Sequence, residues 1–154
     1  MTEDELFARR PLGMRMAMVV RQWRAIIDSA ITDTGLTQSS WTVLMQLHQL
    51  GDNVSVSELA EVQGIELPPL MRTLSLLEKQ GYLVRSTSPY DKRIRLLTLT
   101  AEGRAILEKL SCVIETYQER VTQTIPEADL ATFSATLNQI ACLLRNIREE
   151  DNKI

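Results

Sequence analysis

Pro68 and Pro69 stand side by side in the run Ile65-Glu-Leu-Pro-Pro-Leu-Met-Arg-Thr-Leu-Ser-Leu-Leu-Glu-Lys-Gln-Gly81. A proline pair is tolerated in a helix only in its first turn, where the missing N–H groups would have no intrahelical partner. A helix must therefore begin there, and Gly81 sits just past its end, where a left-handed C-terminal cap is wanted. Leu70, Leu74 and Leu77 recur at i, i+4, i+7 as a buried stripe, while Arg72 and Thr73 lie off it. Two β-like runs follow, residues 83–88 and 94–99, joined by the charged loop Pro-Tyr-Asp-Lys-Arg. Helix, strand, basic loop, strand is the order of a winged helix-turn-helix, a shape suited to duplex DNA.

The chain on either side extends the pattern. Ser55-Val-Ser-Glu58 fits a capping box, in which hydroxyl and carboxylate satisfy each other's orphan N–H groups. It opens a short helix with Leu59, Ala60 and Val62 that ends at Gly64, so two short helices meet at a glycine turn. Corners of this kind are common in helical proteins, and the strand–loop–strand behind this one is what makes it specific. Upstream, residues 1–10 read as frayed. A helix from Pro11 carries Leu12, Met16, Val19, Trp23, Ile26 or Ile27, and Ala30, and stops at Gly35. Thr37 caps the next helix, to about Leu50, with Trp41, Leu44, Met45 and His48 on its apolar face. Downstream, Thr100 caps a long helix from Ala101 to roughly Gln123 with Ile106, Leu110, Val113, Ile114, Tyr117 and Val121 as its stripe. Pro126 opens a last helix carrying Leu130, Phe133, Leu137, Ile140, Leu144 and Ile147 in near-heptad spacing.

The flanking helices carry more apolar face than the small middle domain can cover. Burial across a two-fold axis predicts a homodimer; an intramolecular bundle of the same helices is the alternative. The expected architecture is mainly α (α+β): a winged helix-turn-helix over 36–100, flanked by a helical dimerisation region of 1–35 and 101–154.

Composition narrows the function. With 44% hydrophobic and 24% charged residues the chain is an ordinary globular one. No apolar run is long enough for a bilayer, and the opening Met-Thr-Glu-Asp-Glu is unlike a signal peptide, so no membrane partner and a cytoplasmic location are expected. Cys112 and Cys142 are isolated and read as reduced packing residues. The net charge is −3, yet residues 68–100 hold six cations and two anions, a local +4 that leaves −7 for the rest. A basic patch on an acidic protein is what a nucleic-acid site on a small regulator requires. Catalysis has no visible machinery. There is one histidine and no nucleophile elbow, phosphate loop or metal-ligand spacing, so no enzyme, catalytic residue, cofactor or metal is expected. Glu115 and Glu119, at i, i+4, read as a solvated helix face.

Taken together, Leu70-x-Arg72-Thr-Leu-x-x-Leu77-Glu78-x-x-Gly81-Tyr-Leu-Val-Arg85 and Asp91-x-Arg93 ahead of Leu99-Thr100 resemble the MarR family of winged-helix regulators. Trp23-Arg24-Ala-Ile-Ile-Asp28, Leu36-Thr-Gln38, Trp41 and His48-Gln-Leu50 are similar to its SlyA-like branch. The resemblance implies a homodimer that offers one winged helix to each half of an inverted-repeat operator in double-stranded DNA. It places Pro68, Arg72 and Thr73 at the major groove and Arg93 at the wing tip in the minor groove. The residue chemistry agrees. A guanidinium off the apolar stripe can pair bidentately with guanine, and an arginine on a thin loop can enter a narrow groove. Lys92 and Arg95 suit phosphates, Asp91 would brace the wing, and Pro69 and Arg85 complete the candidate DNA-binding set. A winged helix that binds protein is the competing class, although it would have no need of Arg72 and Arg93 together.

Two positions depart from the pattern. Pro69 stands where a hydroxyl residue is common, and Met45 where the SlyA-like pattern often has a second histidine. The resemblance also implies a small aromatic carboxylate such as salicylate in a crevice between dimer helices and winged domain. Met14, Arg15, Met18, Arg21, Trp41, Met45 and His48 are candidates to line it, with Met and Trp as an adaptable wall and an arginine for the carboxylate. The same Met and Trp residues also read as plain core. Some relatives sense oxidants through a cysteine near the first helix, which here has none.

Overall fold

A computed structural model describes residues 1–153, which form two compact units, Met1–Ile114 and the residues from Glu115 onward. In the first unit the elements run α1 (Glu3–Ala8), α2 (Leu12–Ala30), a 3-10 turn (Thr32–Thr34), α3 (Gln38–Leu50), β1 (Val54–Ser55), α4 (Val56–Gln63), α5 (Leu67–Lys79), β2 (Leu83–Thr87) and β3 (Arg95–Leu99). Helix α6 (Ala101–Thr122) runs on into the second unit, which ends with α7 (Glu127–Asp151).

The stop and start signals act as expected through the middle of the chain. Thr37 caps α3 on Ser40 N–H. Ser55 Oγ accepts from Glu58 N–H at 3.1 Å while Glu58 Oε2 accepts from Ser55 N–H at 2.8 Å, completing the box that opens α4. Gly64 ends α4 with φ of 63°, a left-handed conformation that glycine adopts without a Cβ penalty. Pro68 and Pro69 fall in the first turn of α5. Leu70, Leu74 and Leu77 are fully buried, and the core also holds Val43, Leu44 and Leu47 of α3, Leu59 of α4 and Leu83 and Leu97 of the sheet. The sheet has the order β1-β3-β2, all antiparallel, with Leu83 opposite Leu99 and Thr87 opposite Arg95.

Several expectations are corrected. Residues 1–10 are not frayed: Thr2 and Glu5 form a second capping box that starts α1. Helix α2 stops at Ala30, and a 3-10 turn carries the chain to Gly35. On α3 the buried face is Ser40, Val43, Leu44 and Leu47. Trp41 and Met45 are half-buried at its margin, and His48 is exposed, one helix step out of phase. The short strand β1 has no counterpart in the sequence reading; Val54 pairs with Leu97. Cys112 and Cys142 lie at the surface rather than in packing positions. At the start of α6, Gly103 and Leu107 join Leu110 in the buried face. Gly103 is there because a Cβ would run into the Tyr82 carbonyl oxygen. Helix α7 keeps its apolar spacing but has no buried residue.

Candidate nucleic-acid interface

Burial of three leucines fixes the rotation of α5, and with it the side chains that remain outside. Pro68, Arg72, Ser75 and Lys79 are exposed on the face opposite the leucine stripe, as their spacing requires. Among the described residues no ion pair engages Arg72 or Lys79, so their charge is presented outward. Thr73 is half-buried, and its hydroxyl donates back to the Pro69 carbonyl at 3.3 Å, which commits it to the helix.

The wing is a braced loop. Ser88 N–H donates to Ile94 O at 2.9 Å and Ile94 N–H to Asp91 O at 3.0 Å, closing residues 88–94 on themselves. Inside that closure Asp91 Oδ1 accepts from Arg93 N–H at 3.0 Å and from Arg93 Nε at 3.2 Å, and Oδ2 accepts from Nη2 at 3.2 Å. The Arg93 guanidinium, followed by its backbone N–H, holds the Asp91 carboxyl below the usual carboxylate range. Arg93 nevertheless remains 91% exposed. A carboxylate thus aims the guanidinium without hiding it. Lys92 is exposed beside it, and Arg95, also exposed, donates to Thr87 Oγ1 across the strand pair at 3.2 Å.

Arg85 is placed differently from the other candidate cations. Its Nε and Nη2 meet Glu78 Oε2 at 3.0 Å and Oε1 at 3.2 Å, its own N–H donates to Oε2 at 3.2 Å, and the side chain is only 23% exposed. This fork joins α5 to β2 and holds Glu78 below, and Arg85 above, their ordinary pKa values. Arg85 is thus part of the scaffold that orients α5 against the wing. The sequence reading had no signal for this pair beyond two opposite charges seven residues apart.

The seven candidate ligand residues fall on two helices, Met14, Arg15, Met18 and Arg21 on α2 and Trp41, Met45 and His48 on α3. Trp41 Nε1 donates to Asp28 Oδ1 at 3.1 Å, Arg15 lies 5.2 Å over the Phe7 ring, and Met14 and His48 are exposed. Met18 and Met45 are half-buried. A cleft of about 580 Å³ does open beside α5, lined by Arg24, Gln38, Thr42, Gln46, Gln63 and Arg72 among others. A second, of about 450 Å³, is lined by Arg21 together with Arg24, Asp28 and Gln38. Of the seven residues, Arg21 alone lines either of these two clefts. With the Gln38 amide turned to present its oxygen, that oxygen accepts from Arg24 Nε at 2.7 Å and Nη1 at 2.6 Å. Arg24 and Gln38 are thus the residues that sequence reasoning passed over.

Two helices joined at a left-handed glycine, followed by an antiparallel wing with an outward arginine, define a winged helix-turn-helix protein. The profile of the MarR family matches residues 34–94, from the 3-10 turn to the end of the wing loop. Among solved structures, the transcriptional regulator PA3341 is 30% identical over 88% of this chain and 99% of its own, with a TM-score of 0.80. A crystal structure of MarR, 22% identical over 92% of this chain and 96% of its own, shares the fold with a TM-score of 0.82. A MarR mutant from E. coli, solved in complex with operator DNA, is 25% identical over 84% of this chain and 93% of its own, with a TM-score of 0.76. The chain belongs to the MarR family of transcriptional regulators.

Proposed function

We propose that the protein is a sequence-specific DNA-binding regulator that acts as a homodimer on a pseudo-palindromic operator. The observation that carries this reading is the unpaired Arg72 on the outer face of α5, together with a wing arginine that is braced yet 91% exposed. In this reading Arg72 pairs with a guanine edge in the major groove, with Pro68 and Thr73 beside it, and Arg93 enters the minor groove. Lys92 and Arg95 neutralise phosphates, and Arg85 serves the scaffold. Residues 36–100 form the DNA-binding part. Residues 1–35 and 101–154 form the dimerisation part, for which the absence of any buried residue along α7 is the support: Phe133, Leu137, Leu144 and Ile147 are all about half exposed or more. No helix among the described residues is long and apolar enough to cross a membrane, and the proposed site of action is the cytoplasm.

The match of Trp23-Arg24, Leu36-Thr-Gln38 and Trp41 supports a place in the SlyA-like branch. Modulation by a small aromatic carboxylate such as salicylate belongs to the same reading. The cleft that Arg24, Gln38 and Arg72 share is the site for it, because a ligand there would touch a base-reading residue directly. Calorimetry with millimolar salicylate giving no heat would remove that part.

The primary test is selection of bound duplexes from a random pool, then anisotropy titrations of the winner at several salt concentrations. Recovery of an inverted repeat with half-sites centred about 10 base pairs apart is expected. Enrichment of nothing, with no binding at low salt, would transfer the wing and α5 to a protein-binding role.

A further inference from the structure

The outer face of α5 carries two rows of side chains. Beside Pro68, Arg72, Ser75 and Lys79 runs an apolar row. Pro69 and Leu76 are seven residues apart and project in nearly the same direction, since seven residues fall about 20° short of two full turns. Both are exposed, Leu76 to 41%. Leu70, Leu74 and Leu77 of the same helix form its core stripe at 0% exposure, and Leu76 lies outside that stripe. The other exposed apolar side chains of the helix point elsewhere: Leu67 and Met71 line a cleft that they share with Arg93, Ile94 and Arg95.

We propose that Leu76 reads thymine by contact with its C5 methyl group. The proposal rests on the DNA-binding reading. In the major groove the thymine methyl is the one apolar group among the base edges; guanine, adenine and cytosine present donors and acceptors. An apolar side chain that displaces water from a methyl gains by the contact, whereas the same side chain against an amino or carbonyl edge leaves that edge without its water. Leu76 lies one turn beyond Arg72, about 6 Å along the helix, which places the thymine within about two base-pair steps of the guanine that Arg72 reads. The polar row and the apolar row then read different chemistry on neighbouring base pairs.

The experiment uses the full-length protein and the duplex recovered by selection, with each dT replaced in turn by dU, which removes only the methyl. For the unaltered protein, one position in each half-site should weaken binding about fourfold, equivalent to ~0.8 kcal/mol for a lost methyl contact. Leu76→Ala should bind the dT and dU duplexes equally, and Leu76→Met, which restores apolar reach, should recover the preference. Circular dichroism checks that both variants keep their helix. If the unaltered protein accepts dU at every position while Arg72→Ala still weakens binding, the methyl reading is wrong and the DNA reading stands. A dU penalty that survives Leu76→Ala also overturns it. Recovery of no duplex overturns the DNA reading and this proposal together.

Discussion

Gly103 lies inside a helix, where replacing glycine by alanine ordinarily stabilises by up to about 1 kcal/mol. Here the opposite is expected. A Cβ at this position would overlap the Tyr82 carbonyl oxygen and crowd the Tyr82 carbonyl carbon and Cα. That carbonyl cannot give way easily. It accepts from Thr100 N–H at 3.1 Å, Tyr82 N–H donates to Leu77 O at 2.9 Å, and Thr100 Oγ1 donates to Gly81 O at 2.5 Å while accepting from Gly103 N–H at 3.0 Å. The first turn of α6 is thus tied to the end of α5 and the start of β2, and the methyl must break part of that tie. Overpacking costs about 1–3 kcal/mol and one lost backbone hydrogen bond about 1 kcal/mol. Subtracting the propensity gain leaves Gly103→Ala roughly 1–3 kcal/mol less stable, or about 2–12 °C lower in Tm for a chain of this size. Urea or thermal unfolding at one fixed protein concentration measures it, which removes mass-action shifts if the chain self-associates. Gly13→Ala in α2 is the control, since a Cβ there meets nothing within 4 Å. A Gly103→Ala protein as stable as the original would refute the reasoning, because it would mean that the junction relaxes at no cost.

Arg72→Ala should weaken binding to the selected duplex by about 1–3 kcal/mol and relax preference at one base position, whereas equal loss on random DNA would reduce Arg72 to a phosphate contact. Asp91→Ala removes a negative charge from a loop assigned to DNA, yet it should weaken binding by about threefold to tenfold, because Arg93 must then be ordered at the moment of binding; tighter binding would contradict the bracing role. Log affinity should fall linearly with log salt, and Lys92→Ala and Arg95→Ala should each reduce the slope by about 1, with an unchanged slope removing both as phosphate ligands. Glu78 has a folded pKa below its unfolded value through Arg85, so its stabilisation is present above about pH 4.5 and fades as pH falls through the folded value. Glu78→Gln should therefore be less stable than the original at pH 7, with the two unfolding curves converging in acid; a constant gap down to pH 3 would show that the pair has no such linkage.

Much of the fold is legible because its signals are local. Two prolines can sit only in a first turn, Ser55 and Glu58 can satisfy each other only at a helix start, and Leu70, Leu74 and Leu77 face one way by helix geometry. The candidate interface follows from the same arithmetic, since burial of that stripe leaves Arg72 outside, and Asp91 lies two residues from the guanidinium it braces. The helix phase at α3 is not fixed by local signals. His48 and Leu47 are neighbours, and a shift of one residue turns a side chain by 100°, so the face that packs is set by what lies against it.

Where the missing information is nonlocal, the amino-acid order is silent. Strand β1 is two residues long and exists only because β3, more than forty residues on, offers Leu97 and Leu96 as partners. Arg85 and Arg93 look alike as cations in one basic stretch. The packing of α5 against β2 brings Glu78 to Arg85 and withdraws that charge, while the wing projects Arg93 outward. The clefts gather Arg24, Gln38 and Arg72 from three separate helices. Local backbone preference and side-chain periodicity thus determined which elements form and which face each buries, because those forces act within a few residues. Which charges are consumed by the scaffold and which remain for a partner was decided by tertiary packing, because an ion pair or a cleft depends on distances between elements that sequence separation does not encode.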